Sequence, residues 1–481
     1  MPELRKKIIL PYLDITSVAL EGDLGAQKVN FSEESQSREL PAVYFIKPLG
    51  SDKIDGSARG DSHFYQFPVV VDSAGVPWEP AIIYLLSRLE GKSHPVMSTY
   101  SSIAGDLMGY RRFLDESKIN WVKFPRNKLD KPTYRFNSYL KRRVALGEIA
   151  LSTAKRQMSS VQSFYRWLED EGLIDSRNGL WKESDRYVQI ENSYGAKSFI
   201  PVKVTDISIR NAKKIDPLSG SIMDGGQLRP LGDEEQEWLL DALRNLGNVE
   251  MSLIHLIGLC TGARLQTVLT LRLRDFIQEI PEKTDEIRLP IGPGTGVDTK
   301  FNQQQSIFIP PSLFEYLVIY ANSSRSKFRR SKSKNSNEND EFLFLSQHGS
   351  PFYDARNISE NQSEALRARR YLCNGQGIRD FVGQRIIPYI RSKYHPGFHY
   401  KFHDTRATFG MNLTDYLYGC VEREEMSLAR VREIVSARMG HKSFKTTELY
   451  LGYRVNQKAL SEANAGWDRF MRNGSWVIES L

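Results

Sequence analysis

Residues 253–273 are nearly all apolar around one interruption, Cys-Thr-Gly-Ala-Arg, which sets Arg264 inside a segment that must be buried. A guanidinium is costly to bury unless something pairs it. Any fold open to this chain therefore has to bring an anionic partner to Arg264. Two kinds of partner meet that demand. One is a neighbouring carboxylate such as Asp275, in a structural ion pair. The other is a phosphate, held against a rigidly packed helix.

A second constraint lies in residues 399–453. His403 and Arg406 stand three apart in HDTR at the start of a helical pattern, so their side chains share a face. His441 follows Gly440, and Tyr450 comes nine residues after His441 in TTELYL. Each piece alone has an ordinary reading. A His-x-x-Arg pair is usually a polar helix face, and a tyrosine between Leu449 and Leu451 is usually core. Taken together and in this order, the four make a constellation suited to attack on a phosphodiester.

The HDTR, the GH and the tyrosine nine residues past that His resemble the catalytic C-terminus of the tyrosine recombinases, the phage integrase family. That family also needs an Arg in a T-G-x-R setting and a Lys beside a β-hairpin turn. CTGARLQTVLTL supplies Arg264 and DTKFNQQQSIFIP supplies Lys300. The likeness spans roughly residues 264–450. A looser likeness upstream, in RQMSSVQSFYRWLEDEGLI, is to the helical core-binding domain that clamps one side of a duplex.

The resemblance implies a site-specific DNA recombinase or integrase of a mobile genetic element, working through a 3′-phosphotyrosine. Arg264 and Arg406 would fork onto the non-bridging oxygens and remain charged at any relevant pH. Tyr450 would be the nucleophile and His403 the base or phosphate orienter. His441 would bond the phosphate, and Lys300 would protonate the leaving 5′ oxygen. Lys283 competes with Lys300 for that role, and Tyr453 is the nearest rival hydroxyl. No cofactor is expected, neither metal nor ATP, because the ester stores the bond energy. The implied partners are double-stranded DNA with specific recombination sites, accessory recombination proteins, and three further copies in a homotetramer joined through the C-terminal segment. Two other readings stay open: a type IB topoisomerase-like enzyme that reseals the same strand, and a catalytically inactive, architectural DNA-binding relative.

The rest of the chain sets the frame. At 481 residues it has material for two or three domains. Net charge is +8 with pI about 9.1, a balance that fits a polyanionic partner. Cys260, Cys373 and Cys420 lack CxxC spacing and read as reduced thiols. No run approaches the ~18 apolar residues of a membrane span, so the expected place is the cytoplasm or nucleoid. His395, His399 and His403 stand four apart, yet they lack the glutamate of HExxH, and Pro396-Gly397 breaks the helix a metal site would need.

The expected fold is mainly α with a small β-sheet, an α+β catalytic domain behind a helical clamp. Residues 1–92 read as a mixed α/β segment, with a strand at 64–72 and a helix opened by Pro80. Residues 93–175 read as the helical core-binding domain. Ser98, Thr99 and Ser152 are candidate caps there, and Lys141, Arg142, Arg143, Lys155, Arg156 and Arg166 are candidate phosphate contacts. Residues 176–228, rich in Ser, Asn and Gly, read as a linker. The catalytic domain is placed at 229–465, with a hairpin around Gly292-Pro-Gly-Thr-Gly and an exposed basic loop at 325–334. An amphipathic helix at 426–439 should face Leu428, Val431, Ile434 and Val435 inward, and Thr446 and Thr447 should cap a short helix carrying Tyr450. Residues 466–481 form the apolar tail.

Overall fold

The structure, a computed structural model, describes residues 7–19, 27–30, 43–48, 63–90, 92, 95–191, 197–210, 220–277, 286–333, 340–354 and 373–473. Helices dominate, and the strands form only small antiparallel sheets, so the chain is mainly α with minor β structure. It divides into two compact units, residues 1–213 with 366–371 and residues 214–365 with 372–481.

In the first unit, strand β1 (Ile8–Asp14) pairs with β5 (His63–Val69), while β2 (Thr16–Ala19), β3 (Gln27–Asn30) and β4 (Val43–Pro48) form a sheet in the order β2-β4-β3. Four helices follow: α1 (Glu79–Ser87), α2 (Met97–Glu116), α3 (Pro132–Ala145) and α4 (Leu151–Asp170). The apolar positions Leu107, Tyr110 and Leu114 of α2 recur at helical spacing, as do Met158, Val161, Tyr165 and Leu168 of α4. All are buried in one core with Phe67 and Leu85. Gly172 takes φ +67 just past α4 and ends it. The expected caps do not form. Val96 and Ala150 hold the cap positions without a side-chain bond, because both helices start before the hydroxyls reach a capping place. Arg143, Arg156 and Arg166 are ion-paired within the unit, to Glu148, Asp106 and Glu183. Lys141, Arg142 and Lys155 remain exposed.

Within the stretch expected to be a linker, residues 183–191 and 197–205 form strands, while 192–196 and 211–219 lie outside the described residues. β6 (Glu183–Glu191) and β7 (Lys197–Thr205) pair antiparallel, and Ile207 and Ile209 beyond them are buried in the helical core. Aromatic and β-branched residues in DRYVQIE and SFIPVKVT outweigh the polar composition that suggested a linker. In the second unit, β8 (Ile222–Met223) and β9 (Gln227–Leu228) form a minimal hairpin around Asp224-Gly225-Gly226.

Helix α5 (Asp233–Leu246) carries Asp233, Glu234 and Glu235 in its first turn, where carboxylates complement the helix dipole. Helix α6 (Val249–Thr261) is apolar on nearly every face and is correspondingly buried. It leads through Gly262 into the short α7 (Leu265–Leu269). The hairpin of β10 (Ile287–Ile291) and β11 (Gln305–Ile309) buries Leu289, Ile291, Ile307 and Ile309 as the alternation requires. Lys283 lies outside the described residues. After α8 (Pro311–Asn322), the basic run is not a loop. Residues 324–330 form α9 (Ser324–Arg330), and Arg325 and Arg329 close on Glu250, whose carboxylate is fully buried. A carboxylate inside α6 needs those cations, and the sequence alone does not reveal that the two segments meet.

Helix α10 (Gln376–Phe381) continues through a π-helical turn into α11 (Ile387–Lys393). Three helices complete the unit: α12 (Asp404–Glu422), α13 (Leu428–Met439) and α14 (Phe444–Asn473). Val431 and Val435 point inward, but Leu428 at the first turn is 60% exposed. Tyr450 does not sit on a short helix capped by Thr446 or Thr447. Both threonines lie inside the 30-residue α14, which runs through the boundary expected at 466.

Candidate active site

Four side chains of the second unit converge on one carboxylate. Asp224, at the tip of the β8–β9 hairpin, is buried. Its Oδ2 accepts from Arg406 Nε at 2.6 Å and from the Tyr450 hydroxyl at 3.1 Å, and it lies 3.4 Å from His441 Nε2. Its Oδ1 accepts from Arg264 Nη2 at 3.3 Å. The anion demanded by Arg264 is therefore Asp224 and not Asp275. Arg406, His441 and Tyr450 share it.

Local backbone explains the convergence. Gly262, at φ +66, ends α6 in the left-handed region and turns Arg264 toward Asp224. A Cβ there would also lie 2.5 Å from Phe409 Cδ1 on α12. The turn and the close approach both demand glycine. The Gly262 carbonyl, left unpaired by the helix end, accepts from Arg406 Nη1 at 2.8 Å. Arg406 Nη2 donates to the Met439 carbonyl at 2.6 Å, at the end of α13. One guanidinium thus satisfies two helix C-termini and faces the carboxylate. Gly440, at φ +59, stops α13 and presents His441, whose Nδ1 lies 3.0 Å from the Thr447 hydroxyl. The imidazole lies against Tyr450, with ring centroids 5.4 Å apart.

Tyr450 is fully buried, and its ring occupies the place a side chain on Gly410 of α12 would need. Tyr453 is turned elsewhere, its hydroxyl donating to the Gly220 carbonyl at 3.2 Å. Lys300 reaches the same place from the turn before β11. A Cβ on Gly225 would lie 2.5 Å from its Nζ. The next two residues, Phe301 (φ 62) and Asn302 (φ 54), are left-handed, a strained arrangement for a phenylalanine that aims the lysine stem.

The electrostatics follow from this crowding of cations. Burial acts to raise the Asp224 carboxyl, but the His441 hydrogen bond and the Arg406 and Arg264 charges override it and hold the group far below the carboxylate range. Burial, then the Asp224 charge, pushes the Tyr450 phenol well above its ordinary value. Burial together with Arg264, Arg406 and Lys300 lowers His403, so its imidazole is neutral at pH 7 and able to accept a proton. Burial and the charge of Arg264 lower Lys300.

All six residues singled out from the sequence, Arg264, Lys300, His403, Arg406, His441 and Tyr450, fall in this one neighbourhood. Asp224 and Thr447 were missed. The Asp-Gly turn between Met223 and Leu228 is a hairpin signal that was readable. Among the described residues no group of three or more His, Cys, Asp or Glu is placed to hold a metal, and no helix is long and apolar enough to cross a membrane.

No family model matches the chain, and no curated protein matches it. Among solved structures it is similar to the XerH site-specific recombinase bound to a palindromic difH substrate in a post-cleavage complex. That likeness has a TM-score of 0.43 and 13% identity, covering 80% of this chain and 83% of that one. It is also similar to the Tn1549 transposon integrase in complex with circular intermediate DNA. There the TM-score is 0.40 and the identity 14%, over 77% of this chain and 94% of that one.

Proposed function

We propose that the chain cuts and rejoins DNA strands as a tyrosine site-specific recombinase, with Tyr450 as nucleophile. One observation carries the reading. Two arginines, a histidine and a tyrosine hydroxyl all lie within 3.4 Å of the oxygens of a single buried anion. A phosphodiester presents the same pair of charged oxygens to a guanidinium fork. With a phosphate there, the phenol oxygen stands beside phosphorus.

The reaction balances without an outside reagent. The Tyr450 oxygen attacks phosphorus as its proton passes to His403, whose imidazole lies in the field of the same Arg264, Arg406 and Asp224 charges. Charge that builds on the non-bridging oxygens is met by Arg264, Arg406 and His441. The bond from phosphorus to the 5′ oxygen breaks, and Lys300, whose ammonium burial and the Arg264 charge make a better proton donor, gives that oxygen a proton. A 3′-phosphotyrosine and a free 5′-hydroxyl result, and the reverse step with another strand's 5′-hydroxyl rejoins the DNA. The substrate is duplex DNA of a mobile element, and the active form is a homotetramer. Exposed Trp467 and Phe470, stacked with centroids 5.6 Å apart on α14, support docking on a second copy.

Incubation with a nicked target duplex should trap a 3′-linked adduct on denaturing gels, in the presence of EDTA. Tyr450→Phe should abolish the adduct and leave DNA binding intact. An adduct that survives in Tyr450→Phe and disappears in Tyr453→Phe would refute the assignment.

A further inference from the structure

Asp224 stands where the phosphate of the proposed reaction would have to stand. Its carboxylate engages Arg264, Arg406, His441 and Tyr450, the same groups that would grip a phosphodiester. Two anions cannot share that cradle, because like charges a few ångströms apart repel strongly in a water-poor site. Asp224 is also poorly suited to be the base that deprotonates Tyr450. Its carboxyl is held far below the normal range, and its charge raises the phenol instead of activating it.

The element that carries Asp224 is built lightly. The β8–β9 hairpin consists of two residue pairs, Ile222 with Leu228 and Met223 with Gln227. Ile222 and Leu228 anchor its base, whereas Met223 is 41% exposed. Beyond its base, the Tyr453 hydroxyl holds the Gly220 carbonyl and Gln227 holds the Ser221 hydroxyl. The tip is Gly225 at φ +69 followed by Gly226, and a Cβ on Gly225 would lie 2.5 Å from Nζ, the far end of the Lys300 side chain. Downstream the chain is fixed at once, with the Arg229 amide donating to Asp404 at 3.0 Å. A tip that swings about this fixed point clears the cradle without unpairing any helix.

We infer that Asp224 is a built-in occupant of the phosphate cradle, an autoinhibitory plug that a DNA phosphodiester must displace before Tyr450 can attack. The inference rests on the phosphodiester reading of the site and deepens it. While the hairpin is in place, the arginines are neutralised, the nucleophile is buried and its phenol is held protonated. Removal of the hairpin reverses all three together, so the nucleophile becomes competent only in a loaded site. The closed hairpin also lowers apparent affinity for phosphate by the fraction of molecules that are open.

The test compares wild type, Asp224→Ala and the isosteric Asp224→Asn, with inorganic phosphate as probe, followed by thermal melting and 31P line broadening. The variants should bind phosphate about tenfold more tightly than wild type if about one molecule in ten is open. They should also form the adduct on a nicked duplex faster than wild type. If Asp224→Ala fails to fold, Asp224→Asn carries the comparison. Equal phosphate affinity in wild type and variants would overturn the plug, as would variants that cleave more slowly with no gain in phosphate binding. Tighter phosphate binding with no adduct from any protein would uphold the plug and sink the recombinase reading instead.

Discussion

Gly410→Ala offers a test in which stability and chemistry should part company. Gly410 lies within α12, and a Cβ there would fall 2.4 Å from Tyr450 Cε1, 2.7 Å from Cδ1 and 3.0 Å from Met439 Cε. Met439 ends in a flexible thioether that can rotate away. The Tyr450 ring is rigid, fully buried and backed by the His441 imidazole, so it has to move as a body. Ordinary contact begins near 3.4 Å, so the ring must shift by about 1 Å (3.4 less 2.4). Overpacking of this kind costs roughly 1–3 kcal/mol, while alanine in a helix interior returns roughly 0.5–1 kcal/mol relative to glycine. Net destabilisation should therefore be at most ~2.5 kcal/mol. A misplacement of ~1 Å in a reacting group, by contrast, can cost about a hundredfold in rate. Urea unfolding alongside single-turnover adduct formation reads both quantities, with DNA affinity as the control. A Gly410→Ala protein that forms adduct at the wild-type rate would show that the ring position does not govern the chemistry.

The two arginines should separate in the same pair of assays. Each alanine variant should slow cleavage by more than ~10²-fold, as expected for a lost preorganised donor. Arg406→Ala also strands the Gly262 and Met439 carbonyls, at roughly 1–3 kcal/mol each, whereas Arg264→Ala, which loses one 3.3 Å bond, should melt close to wild type. Acid stability has its own marker in His255, which burial lowers to about 4. An unfolded histidine titrates near 6.5, so below that pH the unfolded chain takes up a proton that the folded chain refuses. Stability should thus be complete above pH 6.5 and fall by about 3 kcal/mol toward pH 4, then level off. His255→Phe should remove that limb from urea titrations run across the range.

Much of this arrangement was legible because it depends on local rules. Heptad-like spacing marked the inner faces of α2 and α4, and glycines at 172 and 440 marked where helices stop. Arg264, His403, Arg406, His441 and Tyr450 were visible through their order along the chain. What stayed hidden depends on meetings between distant segments. Asp224 joins residues 40 to 226 positions away from it, and its own surroundings of Ser, Gly and Asp look like a connector. Likewise nothing in the sequence says that α9 will cover Glu250 in the first turn of α6. Leu428 failed for the opposite reason. Periodicity assigns it a face, but at the first turn of α13 its side chain is left 60% exposed.

The closure of α9 on Glu250 bears on how the protein would respond to ionic strength. A cation that neutralises a DNA phosphate releases condensed counterions, and each such contact steepens the fall of log affinity with log salt by ~0.9. Arg325 and Arg329 already share a buried carboxylate, and Arg330 donates to the Ala321 carbonyl at 2.9 Å. Arginines spent on an internal anion release no counterions when duplex arrives. A salt slope forecast by counting the basic residues of 325–334 would be too steep by ~1.8 for Arg325 and Arg329 alone. Arg325 and Arg329 are a clasp for the helix beneath them, while Lys327 and Lys332 of the same run stay exposed to solvent.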